Sequence, residues 1–237
     1  MLPSPGLTEV GPAGLQRAID EQPVLTLAFY SFGCVMRKKT DTGITEYPVC
    51  TQDVASALAS NITLNTGILT PNTICILAEG AKRTVVEYRP PQKTALWLEG
   101  VEDPIRVPLP SLLLIRSTVA DRDADHLVFA VTERPTSFTI PLFRAPLPNV
   151  YHGGDICWGT VGKVKLAALK GNDLAEDWAQ LLATPFGNHS VQEKSISQRR
   201  DIRRLYIDME KRRVRVYPKR ELIPEKRTLG SILGVDE

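Results

Sequence analysis

The stretch Ala145-Pro-Leu-Pro-Asn-Val-Tyr-His-Gly-Gly-Asp-Ile-Cys-Trp-Gly159 interrupts a chain whose preceding half reads as short strands. A long irregular stretch inside a compact domain is usually functional. Cys157 follows the Gly153-Gly154 turn, which leaves the approach to its thiol uncrowded. Asn149 stands eight residues before that cysteine, directly after Pro148, whose ring fixes the backbone. A thiol that attacks an acyl carbon needs an amide donor for the developing oxyanion, and a Pro-Asn turn can hold one in place. An amine attacking the acyl group must lose a proton, and His152, Asp155 and the later His189 are the candidate acceptors. The competing readings are a buried structural thiol for Cys157, a loop brace for Asn149, and solvated loop residues for the other three.

Outward from this stretch the pattern is regular. Val24–Tyr30, Val35–Arg37 and Ile44–Cys50 read as strands around a Thr40–Gly43 turn, and Thr51 caps a short helix over 52–60. Arg83–Tyr88, Ala95–Leu98, Ile105–Val107, Leu112–Ile115 and Leu127–Val131 follow as short strands, an order that predicts an antiparallel meander. A helix over 172–183 carries Leu174, Trp178, Leu181 and Leu182 at helical spacing, with Asp173 and Glu176 as a capping-box start. Residues 1–22 read as a mobile Pro/Gly-rich lead-in, with a turn of helix at 13–20. The expected organisation is an α+β domain over 23–193 followed by an arm over 194–237.

Composition supports a globular chain: 237 residues, 43% hydrophobic and 24% charged. Net charge is +2, but residues 194–227 hold 13 Lys/Arg against 5 Asp/Glu. That balance of +8 leaves −6 elsewhere, a mildly acidic body with a basic arm in which Arg213–Tyr217 alternates like an exposed strand. Only Tyr206 and Tyr217 interleave with the arm's charges, so nucleic acid is not an expected partner. No apolar run approaches the roughly 20 residues that span a bilayer. The four cysteines, Cys34, Cys50, Cys75 and Cys157, are scattered and unpaired with His, which predicts a cytoplasmic protein without a metal site. Cys34, Cys50 and Cys75 are expected to be inert core residues. Nucleotide-binding G-x-x-x-x-G-K-S/T and G-x-G-x-x-G, metalloprotease H-E-x-x-H and hydrolase G-x-S-x-G patterns are all missing.

The 145–159 stretch resembles the active-site flap of ubiquitin-conjugating enzymes. Pro148, Asn149 and Val150 match its first part, and Gly154, Ile156 and Cys157 its second, at the same spacing. Leu147 replaces a histidine that braces the flap in those enzymes, and Trp158 replaces a leucine. Over about 24–190 the chain resembles a bacterial branch, protein B of the PRTRC systems, also called prokaryotic ubiquitin-conjugating family D. The matching pieces are Thr63-Leu-Asn-Thr-Gly-Ile-Leu69, Val107-Pro-Leu-Pro-Ser-Leu112, Phe129-Ala130, Arg134-Pro135-Thr136, Trp178 and Thr184-Pro-Phe-Gly-Asn-His189.

The resemblance implies a ubiquitin-conjugating-like fold, with an antiparallel meander, flanking helices and a flap beside the cysteine. It implies that Cys157 takes a ubiquitin-like protein as a thioester from a ThiF-type activating enzyme and passes it to an amine, with no cofactor of its own. It implies a JAB-type metalloprotease in the same system. Two rival readings remain: a catalytically inactive module that binds a ubiquitin-like protein, favoured by the lost histidine at 147, and a nucleic-acid-associated accessory protein using the basic arm.

Overall fold

The computed structural model describes residues 25–40, 42–59, 66–80, 82–119, 124–159 and 171–235. The expected lead-in over 1–22 lies outside them. The chain divides after Asn65 into two compact units, so the body expected as one domain over 23–193 is split near its start.

The first unit holds β1 (Leu25–Tyr30), β2 (Gly33–Thr40) and β3 (Gly43–Val49), an antiparallel meander, followed by α1 (Thr51–Ala59). Both hairpins close through glycines with positive φ, Gly33 and Gly43. At the first turn the Tyr30 and Phe32 rings stack with centroids 5.0 Å apart.

The second unit is built on a six-stranded sheet, every pairing antiparallel. Its strands are β4 (Thr73–Glu79), β5 (Lys82–Arg89), β8 (Ser111–Val119), β9 (Asp125–Val131), β10 (Pro141–Arg144) and β11 (Pro224–Thr228). They lie in the order β11-β10-β9-β8-β5-β4, beside a separate hairpin of β6 (Gln92–Leu96) and β7 (Ile105–Leu109). The run Leu112–Ile115 is buried throughout because the sheet is covered on both faces. The pleat sends alternate residues to opposite sides. Leu112, Leu114, Val128 and Ala130 enter one core cluster; Leu113, Ile115, Phe129 and Val131 enter another.

Helix α2 (Ala175–Ala183) covers the first cluster with Trp178, Leu181 and Leu182, aided by Leu174. Its start differs from the expected capping box. Leu174 is the N-cap without a side-chain bond, and the Asp173 carboxylate instead accepts from the Ala175 N–H at 2.8 Å. The buried Glu87 carboxylate takes the Leu174 N–H and the Trp178 indole N–H, tying the helix to β5.

The stretch 194–237 departs furthest from expectation. Ile202–Lys211 form α3, with Asp201 accepting from the Arg203 N–H as its cap. Ile202, Leu205, Tyr206 and Met209 recur at helical spacing and are buried in the first cluster, while Arg204 and Lys211 are exposed and Arg203 is half-buried against Asp201. Arg213–Tyr217 is not a strand: Arg213 turns with φ 53° and Tyr217 is buried. Beyond it, β11 pairs with β10, and α4 (Leu229–Leu233) places Leu229 against the second cluster. The charge is real but decorates packed structure, so this segment is not an arm outside the fold.

Candidate functional site

Residues 149–157 form a short hairpin. The Cys157 N–H donates to the Asn149 carbonyl at 2.6 Å, Val150 bridges Ile156, and the Tyr151 N–H donates to the Asp155 carbonyl at 2.7 Å. A β-turn closes it, with the Gly154 N–H donating to the Tyr151 carbonyl at 3.0 Å. The Gly154 carbonyl accepts from the Val128 N–H at 2.8 Å, which docks the hairpin on β9. Gly154 has φ +98°, and a Cβ there would lie 2.6 Å from the Phe129 ring.

The pleat sorts the hairpin's side chains. Val150 and Ile156 point into the core, while Tyr151, Asp155 and Cys157 belong to the opposite, outer face. Cys157 is half-buried. Tyr151 lies on its cross-strand diagonal, within reach of an aromatic side chain. The hydrogen bond and charge of the Cys157 sulfur raise the Tyr151 phenol above its usual range. Tyr151 was absent from the expected site, although the alternation of a hairpin spanning 149–157 would have placed it there.

Asn149 is buried, with a left-handed backbone (φ 63°) that asparagine tolerates better than most residues. Its side-chain Nδ2 donates to the Pro185 carbonyl at 3.2 Å, and its N–H to the His189 carbonyl at 3.0 Å. The three candidate proton acceptors separate. His152 donates from Nε2 to the Gln192 carbonyl at 3.0 Å, since a carbonyl only accepts. His189 contributes its carbonyl to Asn149, and its ring is exposed. Only Asp155 shares the outer face of Cys157. None of the three bonds Cys157 among the described residues. A cavity of about 520 Å³ opens between Tyr151–Gly153 and the segment of Asn188 and Ser190–Gln192.

Packing replaces the brace missing at position 147. Leu147 is fully buried in the first core cluster. Behind the cysteine, Trp158 sets its ring edge-on to His126 at 5.3 Å. Asp177 joins His126 at 2.6 Å and Arg116 at 3.0 Å, all three buried.

The other cysteines differ from one another. Cys34 is buried, whereas Cys50 is exposed and so is not the core residue expected. Cys75 is half-buried, and burial pushes its thiol up to about 11. No group of three His, Cys, Asp or Glu among the described residues is arranged to hold a metal ion. No helix among them is long and apolar enough to cross a membrane.

Residues 51–225 match the model of a family described as prokaryotic E2 family D. No curated protein matches the chain, and no solved structure does.

Proposed function

The chain belongs to prokaryotic E2 family D, and from that premise we propose that Cys157 carries a ubiquitin-like protein as a thioester and delivers it to an amine. The observation that supports this most is the half-buried Cys157 on the outer face of a hairpin whose inner face is pinned in the core. Such a thiol is reachable yet fixed in direction, as a nucleophile must be.

In loading, the Cys157 thiolate attacks the activated C-terminal acyl carbon. A carbon–sulfur bond forms and the bond to the leaving group on a ThiF-type activating enzyme breaks. In transfer, an amine, most simply a lysine, attacks the thioester carbon. A carbon–nitrogen bond forms, the thiolate leaves, and the amine loses a proton. Asp155, on the same face, is our candidate acceptor. We assign Asn149 the role of brace, since its amide is engaged with Pro185 and its backbone shapes the turn. Placement within the PRTRC protein B branch is part of the same proposal.

The test is incubation with ATP and the activating enzyme and ubiquitin-like protein encoded beside it. A mass increase that a reducing agent reverses is expected, lost in Cys157→Ala and converted to a more stable ester in Cys157→Ser. Loading that survives in Cys157→Ala would move the nucleophile elsewhere. Binding of the modifier with no covalent adduct would favour the inactive-module reading.

A further inference from the structure

Lys194 is fully buried. Enclosing an ammonium is unfavourable unless its hydrogen bonds are met inside, and a similar-sized apolar residue would often be at least as stable. Its Nζ donates to the Val150 carbonyl, in the middle of the flap hairpin. Ser190 Oγ donates to the same carbonyl at 2.7 Å. Two donors on one carbonyl occupy both its lone pairs and fix that peptide plane. The plane lies between Val150 and Tyr151, one rung from the bond that holds the Cys157 N–H to Asn149.

We infer that Lys194 is a positioning residue for Cys157, fixing the flap through the Val150 carbonyl. This rests on the reading of Cys157 as the nucleophile, but it has a readout independent of the modifier. The charged neighbours of the ammonium come from two strands. Arg144 on β10 repels it and Glu225 on β11 attracts it, and Glu225 itself is engaged by Arg144 at 3.5 Å and Arg227 at 2.7 Å. Burial, reinforced by Arg144, depresses the ammonium to about 7. A neutral amine still donates, but without charge assistance its bond is roughly half as strong. The clamp therefore relaxes as pH rises through 7.

The experiment uses the full chain and the variants Lys194→Met, Lys194→Gln and Ser190→Ala. Alkylation of Cys157 by iodoacetamide is followed from pH 6 to 9 by mass spectrometry of its peptide. Wild type is expected to show an inflection near 7 in addition to the thiol's own titration, and Lys194→Met to lack it. Lys194→Met is expected to melt at or above the wild-type temperature while discharge of preloaded thioester falls about tenfold, the scale of one lost hydrogen bond. Lys194→Gln, which keeps a donor, restores part of the discharge rate, and Ser190→Ala lowers it in the same direction. An unchanged alkylation profile and discharge rate in Lys194→Met overturns the inference. So does a Lys194→Met protein that fails to fold, because the lysine would then be structural. Absence of loading in wild type, with the alkylation inflection present, would sink the conjugating function and leave the positioning of Cys157 standing.

Discussion

Gly154→Ala tests the docking of the flap on the sheet. A Cβ at this position would lie 2.6 Å from the Phe129 Cζ and 2.9 and 3.0 Å from its Cε atoms. Carbon atoms settle at about 3.5–4.0 Å, so ring or hairpin must retreat by roughly 1 Å. Phe129 has little room: it is fully buried, paired with Leu113 and Arg144 on either side, and faced by the Arg227 guanidinium at 5.5 Å. Overpacking of this kind costs about 1–3 kcal/mol. The backbone adds a second term, because φ +98° suits glycine and holding an L-residue there costs about 1–3 kcal/mol. The expected loss is therefore about 2–6 kcal/mol, a large part of the about 5–15 kcal/mol that typically holds a domain together. Urea denaturation followed through the buried Trp158 and Trp178 reads it as a lower midpoint at constant slope. Adding Phe129→Leu should recover part of the steric share and none of the backbone share. Gly153→Ala is the control: its Cβ would meet only the Asp155 carboxylate, at 3.2 Å, and that side chain can turn away. Gly154→Ala within about 0.5 kcal/mol of wild type, or no different from Gly153→Ala, would refute the reasoning.

Asn149→Ala should lower stability by about 1–3 kcal/mol, through the lost bond to Pro185 and the left-handed backbone. Single-turnover discharge of preloaded protein checks the assignment. A fall of about 10²–10³ with normal melting would make Asn149 an oxyanion donor rather than a brace. Deleting 194–237 removes Ile202, Leu205, Tyr206, Met209, Tyr217, Leu222 and Leu229, all buried. At about 1.5–3 kcal/mol each, that loss matches or exceeds the stability of a typical domain. The second unit of the truncated chain should lose its cooperative melt by calorimetry, and a second unit that still melts near the wild-type temperature would disprove the packing described for α3.

Sequence alone revealed the features that rest on short-range chemistry. The stretch around 149–157 stood out because Pro148, Gly153 and Gly154 punctuate it, but its hairpin did not: it reads as irregular, since only the Val150–Ile156 bridge and two cross-strand backbone bonds pair its arms. Strands β5, β8 and β9 were legible because β-branched and leucine runs sit between turns. Helix α3 was not, although Ile202, Leu205, Tyr206 and Met209 have helical spacing, because the surrounding arginines read as a solvated surface. Strands β10 and β11 are only 4 and 5 residues long, too short for their alternation to stand out. Nothing in the sequence marks Lys194 as buried, since its carbonyl partner is supplied by a chain segment 44 residues away. Cys50 was misjudged for the opposite reason: it follows a strand but lies on the surface.

The strand order β11-β10-β9 has a consequence for biosynthesis. Strand β10, next to the flap, keeps an unpaired edge until residues 224–228 have been made. The Gly153 carbonyl likewise waits for the Arg227 guanidinium, and the Val150 carbonyl for Lys194. Translation at about 5–20 residues per second needs roughly 4–14 s to travel from Cys157 to Arg227. During that interval Cys157 exists on a nascent chain whose hairpin carbonyls at 150 and 153 still lack these donors. The hairpin that carries Cys157 is therefore tied down on all sides only once residues up to Arg227 have been made, and a shorter nascent chain lacks those ties.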